Sequence, residues 1–256
     1  MTGVVAATPA MAPLARGRYL ARPVETPADL DAAQRLRHRA FRGADPGEGR
    51  DRDDFDGRCR HVLVEDRASG AVVCCFRLLG LPDGRAIGTS YAARFYDLSA
   101  LEHFGAPMAE VGRFCIDPDR TDPDILRLAW GMLTAEVDRA GIALLFGCSS
   151  FRGTDPAAYA DAFALLRARH LAPACWRPQV RAPRIHEFAR LACDAPDRRR
   201  ALAQMPPLLR SYLQMGGWVS DHAVIDADLG TLHVFTGLEI ARVPPARARL
   251  LRMLAG

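Results

Sequence analysis

One carboxylate stands inside an otherwise apolar run. In Ala109-Glu110-Val111-Gly112-Arg113-Phe114-Cys115-Ile116, Glu110 sits where β-alternation places Glu110 and Val111 on opposite sides of a strand. Burying a carboxylate costs free energy unless it is paired, and an apolar setting raises its proton affinity. A raised pKa is what a general base working near neutrality needs. Gly112 in mid-strand marks a bulge or a close approach of another chain segment. Backbone N–H groups freed there suit a thioester oxygen or a developing oxyanion. The structural alternative is a buried ion pair of Glu110 with Arg113 or Arg77.

A second group of charges lies upstream. Asp51-Arg52-Asp53-Asp54-Phe55-Asp56-Gly57 is not an EF-hand, because Phe55 takes a ligand position and no Glu occupies the twelfth place. It reads either as a site for a cationic amine or as a solvated loop of alternating charge. Arg37 and Phe41 stand four residues apart, on one helical face. Arg77 interrupts the apolar Cys74–Leu79 run, where an arginine pairs with a carboxylate of the chain or of a substrate.

Other chemistries find no support. All 34 basic residues are arginine, which excludes a GK[ST] phosphate loop and any lysine Schiff base. No local motif gives Cys115, Cys148 or Cys175 the neighbouring His or helix N-terminus of a reactive thiol. Ser149-Ser150 lies outside any GxSxG elbow, and the seven histidines show no metal spacing, so no metal is expected. Seven cysteines without CxxC pairs fit a reduced cytoplasmic protein. A net charge of +4 suits an acidic partner or an anionic membrane but is too weak for nucleic acid.

The elements that must position these residues follow from periodicity over the 256-residue chain. Thr26–Phe41 reads as a capped helix, and 43–57 as a polar loop. His61–Asp66, Ala71–Leu79, Arg85–Phe95, Met108–Ile116 and Ile142–Ser149 read as strands. Pro123–Ala140 and Asp155–His170 read as helices, Pro207–Met215 as a further helix and Thr231–Leu238 as a strand. The expectation is an α/β fold, a mixed and mostly antiparallel sheet flanked by helices. Residues 1–17 are a flexible lead-in, 18–173 the core, and 174–256 an extension packed on it. The closing stretch from Pro244 to Leu254 is a short basic amphipathic helix, either lying on an anionic leaflet or docked on the core.

Taken in order, these pieces resemble a known family. Arg37-x-x-x-Phe41 is followed by Asp53 and Asp56, then Cys59–Val64, Phe76–Leu79 and Glu110–Ile116. This resembles the acyl-carrier-protein-dependent branch of the GNAT acyltransferases, shared by acyl-homoserine-lactone synthases and L-ornithine Nα-acyltransferases. No Trp precedes Trp130, whereas the synthases carry one soon after the RxxxF motif. Pro206–Leu213 followed by Gly216-Gly217 resembles the ornithine enzymes, although Thr231-Leu232-His233-Val234 departs from their usual ending.

The resemblance implies a GNAT-like fold and transfer of a 3-hydroxyacyl group from acyl-carrier protein to the α-amine of L-ornithine. Its alternatives are a lactone synthase and a non-catalytic carrier- or membrane-binding module. No bound cofactor is implied; the phosphopantetheine arm of the carrier brings the acyl group. Glu110 would be the catalytic base, and Val111, Gly112 and Phe114 would offer backbone N–H groups to the thioester. Asp53 and Asp56 would meet the cationic groups of ornithine. Phe41 would line the substrate site, and Arg37, Arg77 or Arg113 would hold the carboxylate or order the acidic loop. The turn from Asp117 to Asp124 has no glycine and four acidic residues, a poor cradle for the pyrophosphate of coenzyme A. The implied location is the cytoplasm, peripheral to the inner face of the membrane.

Overall fold

A computed structural model describes residues 11–43, 49–191 and 195–255. Its strands are β1 (Leu14–Arg16), β2 (Tyr19–Pro23), β3 (Arg60–Asp66), β4 (Ala71–Leu81), β5 (Tyr96–Asp97) and β6 (Met108–Ile116). They continue as β7 (Leu144–Arg152), β8 (Gln179–Val180), β9 (Ile185–Glu187), β10 (Trp218–Val219), β11 (His222–Asp226) and β12 (Thr231–Glu239). The α-helices are α1 (Pro27–Arg42), α2 (Pro123–Ala140), α3 (Ala160–Arg169), α4 (Arg198–Gln204), α5 (Pro207–Gln214) and α6 (Pro245–Ala255).

The main sheet runs β1-β2-β3-β4-β6-β7-β12-β11-β9, with β10 also on β12. Every pairing in it is antiparallel except β6 with β7. This is the mixed, mostly antiparallel sheet flanked by helices that the sequence implied. β12 lies beside β7 over nine residue pairs, so strands from beyond residue 173 extend the same sheet.

Local chemistry sets the ends of the main helices. Thr26 and Asp29 close a capping box on α1, with Pro27 in its first turn. Asp122 caps α2 through the Asp124 N–H, and Gly141, left-handed at φ +60°, ends it. α2 presents Ile125, Leu128, Ala129, Met132 and Leu133 to one face of the sheet. On the opposite face, α1 packs Ala33 and Leu36 against Leu63, Cys75 and Cys115.

Three expectations change. Of the lead-in, residues 1–10 lie outside the described residues, but Leu14–Arg16 is strand β1, turned onto β2 at Gly17 and Arg18. The expected strand Arg85–Phe95 is instead two 3₁₀ turns, Gly84–Thr89 and Ala92–Arg94. Asp83 caps the first turn, and Ser90 accepts the Ala93 N–H in the second. Gly84 packs so closely that a Cβ there would meet the Leu101 carbonyl at 1.9 Å. The helix expected from Asp155 opens as a 3₁₀ turn at Pro156–Tyr159 and becomes α-helical at Ala160.

Candidate active site

β6 and β7 pair only at Met108–Leu144, Ala109–Leu145 and Glu110–Phe146, and then part. The β4–β6 ladder shifts register between Cys75 and Arg77, and Arg113 takes a positive φ of 51°. The irregularity is therefore at Arg113, a conformation that costs a non-glycine residue free energy and here turns β6 away from β7. Gly147 faces the start of the divergence, where an added Cβ would lie 2.3 Å from the Val111 carbonyl oxygen. No side chain fits between the two strands at that point without moving backbone.

A cleft of about 300 Å³ fills the opening. Ladder partners share a sheet face, so Glu110, Cys148 and His233 lie on the α1 side, while Val111, Ser149 and Thr236 face α2 and α5. On that side the helices give an apolar wall, Leu126, Leu208 and Tyr212, while the Thr236 hydroxyl bonds Ser149 on the sheet. The α1 side is polar.

Glu110 lines this cleft and is 4% exposed. Its Oε1 accepts the Ala92 N–H at 2.7 Å, and its Oε2 accepts the Tyr91 N–H at 2.8 Å. The second 3₁₀ turn thus aims two backbone donors at the carboxylate, which explains why that segment leaves the sheet. Burial pushes the Glu110 pKa up to about 7, against the downward pull of the two N–H groups and of the Arg77 and Arg58 charges. No ion pair with Arg77 or Arg113 forms among the described residues, because both guanidinium groups are engaged elsewhere.

Their partners are the aspartates of the 51–57 loop. Arg77 binds Asp53 at 2.5 and 2.7 Å and Asp56 at 2.6 Å. Arg37, 1% exposed, binds Asp51 at 2.9 Å and Asp56 at 2.8 Å. Arg113 binds Asp51 at 2.8 Å and Asp53 at 3.0 Å and lies over the Tyr91 ring, 5.0 Å from its centroid. Burial alone would raise the Asp53 and Asp56 pKa values, but the arginines hold both below the usual carboxylate range. Phe55 caps the network from within the loop, with the Arg77 guanidinium 5.5 Å from its ring.

The sequence reading therefore divides. Glu110, Val111, Gly112, Phe114, Phe41, Arg77 and Arg113 all line the cleft. Asp53 and Asp56, expected to meet a cationic substrate, are instead bonded to arginines and are not on the cleft wall. Arg37 is likewise away from the wall and orders the loop. Three participants were missed: Asp51, which joins Arg37 to Arg113, and the backbones of Tyr91 and Ala92. Gly88-Thr89-Ser90, a turn-rich run, was the signal against a strand there.

Burial pushes the Cys148 thiol on the cleft wall well above its ordinary pKa, which disfavours a thiolate. Among the described residues no group of three His, Cys, Asp or Glu side chains gathers as metal ligands.

Comparison with known proteins fits this geometry. A model of the acetyltransferase (GNAT) domain matches residues 36–131. The L-ornithine N(alpha)-acyltransferase of Rhodobacter capsulatus is 36% identical over 241 residues, 88% of this chain and 90% of that protein. The chain belongs to the L-ornithine Nα-acyltransferase family. The enzyme of that name from Brucella abortus is 33% identical, over 84% of this chain and 82% of its own length. An N-acyl amino acid synthase from uncultured soil microbes shares the fold, with a TM-score of 0.52 and 13% identity over 90% of this chain and 98% of that one. Family membership makes this an acyltransferase of GNAT type, and the cleft between β6 and β7 is its candidate active site.

Proposed function

We propose that the chain transfers a 3-hydroxyacyl group from acyl-carrier protein to the α-amine of L-ornithine, giving lyso-ornithine lipid. The observation that supports this reading is Glu110: a buried carboxylate without a guanidinium partner among the described residues, set where two strands part around an open cleft. The relatives named as L-ornithine acyltransferases supply the acceptor.

The thioester arm enters the splay from the α5 side, where the wall is apolar. The ammonium group of ornithine approaches from the α1 side and gives a proton to Glu110, directly or through water. The freed amine attacks the thioester carbonyl. Backbone N–H groups between Val111 and Phe114 stabilise the oxyanion as the tetrahedral intermediate forms. The C–S bond breaks, the pantetheine thiolate leaves and takes up a proton, and the amide remains. Because amine and thioester are held together, no acyl-enzyme is needed. Arg113 and Arg77, which line the wall while bonded to Asp51, Asp53 and Asp56, would meet the ornithine carboxylate there.

A carrier protein as donor is favoured by the turn before α2. Asp122 itself takes the Asp124 N–H and accepts the Tyr19 hydroxyl at 3.0 Å, and Asp124 adds another negative charge. These carboxylates disfavour a pyrophosphate at that helix N-terminus. The lipid product calls for membrane contact. α6 docks on α2, with Gly131 admitting the Leu254 carbonyl, yet leaves Leu250 and Met253 exposed beside Arg249. No described helix is long and apolar enough to cross a membrane. Purified protein given 3-hydroxyacyl carrier protein and a panel of amino acids should form the Nα-amide of L-ornithine, identified by mass spectrometry. Formation of a lactone, or carrier binding without turnover, would overturn the proposal.

A further inference from the structure

The polar end of the cleft holds a carboxylate that the proposed reaction does not use. Asp226 ends β11 and is 7% exposed. Its Oδ1 accepts the Leu229 N–H at 3.1 Å, and no arginine among the described residues reaches it. In this arginine-rich chain that is unusual, since Asp51, Asp53, Asp56 and Asp66 all have guanidinium partners. Asp226 pairs in register with Thr231, and His233 lies two residues further along the same face of β12. All three line the cleft.

Their free atoms are acceptors. Thr231 Oγ1 and His233 Nε2 are buried and have no hydrogen-bond partner. The Tyr96 hydroxyl lies 2.8 Å from the His233 carbonyl oxygen and 3.0 Å from Nδ1. A phenol has one proton; given to the carbonyl, it leaves the phenol oxygen to accept from Nδ1–H, which assigns the lone pair to Nε2. Burial pushes the His233 pKa down to about 3, so the ring stays neutral. A carboxylate oxygen, a hydroxyl and an imidazole lone pair match the three N–H donors of an ammonium group. Tyr91 connects this end to the reaction centre, since its N–H binds Glu110 while its phenol feels the Asp226 charge.

We propose that Asp226, with Thr231 and His233, binds the side-chain ammonium of a dibasic amino-acid acceptor and so selects it over amino acids with uncharged side chains. This rests on acyl transfer to ornithine as proposed above. The test is steady-state kinetics of wild type and Asp226→Asn with L-ornithine and with L-norvaline, which has the same carbon chain without the terminal nitrogen. Asparagine keeps an acceptor for the Leu229 N–H. Wild type should prefer ornithine. Asp226→Asn should lower kcat/KM for ornithine about 10- to 100-fold, mainly through KM, and leave norvaline unchanged. Thr231→Val, nearly isosteric, should shift the same ratio about 3- to 10-fold and serves if the first variant does not fold. An ornithine-to-norvaline ratio unmoved in the folded variant, or a wild type indifferent to the two, overturns the inference. Should wild type acylate neither amino acid, the proposed function fails, and calorimetric binding of L-ornithine to both proteins decides the inference separately: weaker binding by Asp226→Asn supports it, equal binding overturns it.

Discussion

Two sets of carboxylates, one half-buried and one buried, stand side by side and behave in opposite ways. Asp53 and Asp56 face guanidinium groups, which more than offset burial and hold them ionised. Among the described residues Glu110 has two backbone N–H donors and no ion-pair partner, and burial wins. The contrast shows that burial alone does not fix an acid's charge: the partner decides whether it stays ionised or holds its proton up to near neutrality. Three arginines and three aspartates neutralise one another beside the cleft. That leaves Glu110 close to positive charge without being captured by it.

The comparison can be broken first at Glu110. Glu110→Gln should fold and lose about 10²- to 10⁴-fold in kcat, measured as amide formation under saturating substrates. On the other side, Arg37→Met takes one guanidinium out of the three-arginine, three-aspartate network, so that Arg113 and Arg77 alone face Asp51, Asp53 and Asp56 and a net negative charge is left. It should cost about 3–5 kcal/mol in denaturant unfolding, far more than an exposed arginine such as Arg85 would. Aspartates held below their ordinary pKa contribute stability that is full above the unfolded value and lost as pH falls through the folded one. Glu110 has the reverse sign. Its folded pKa of about 7 lies above the ordinary 4.5, so the protonated form is the one that burial tolerates and stability declines as pH rises between those values. That decline should be roughly 3 kcal/mol and should be absent in Glu110→Gln, as read from unfolding curves across pH.

Smaller effects sharpen the picture of the cleft. Gly147→Ala places a methyl against the Val111 carbonyl and should raise KM for the acyl donor about 10-fold, with a lesser change in kcat. Removal of α6 from Pro244 onward, or Met253→Asp alone, should reduce sedimentation with anionic liposomes a few-fold. Unchanged binding would leave α6 as a docked helix only.

Much of the frame was legible in the sequence. β6 and α2 occur where periodicity and caps placed them, because an apolar run ended by Asp117-Pro118 and a helix between Asp122 and Gly141 leave little choice. Glu110 stood out for the same reason: one carboxylate in an apolar strand. The partners were not legible. Asp53, Asp56 and Arg77 are distant in sequence from Arg113, and only the fold brings them together. Nor could periodicity show that Tyr91 and Ala92 give their N–H groups to a carboxylate instead of a ladder. Asp226 and His233 lay in an extension whose pattern gave only one strand and two helices, so their arrival at the cleft required the β7–β12 pairing.

The central claim is that Glu110 takes the proton that frees the attacking amine. The most direct test is the pH dependence of kcat/KM for wild type and Glu110→Gln. Wild-type activity should rise with an apparent pKa near 7 that belongs to the free enzyme, and the variant should lose that limb along with most of its turnover. A folded Glu110→Gln protein that retains near-normal turnover and the same pH limb would contradict the account.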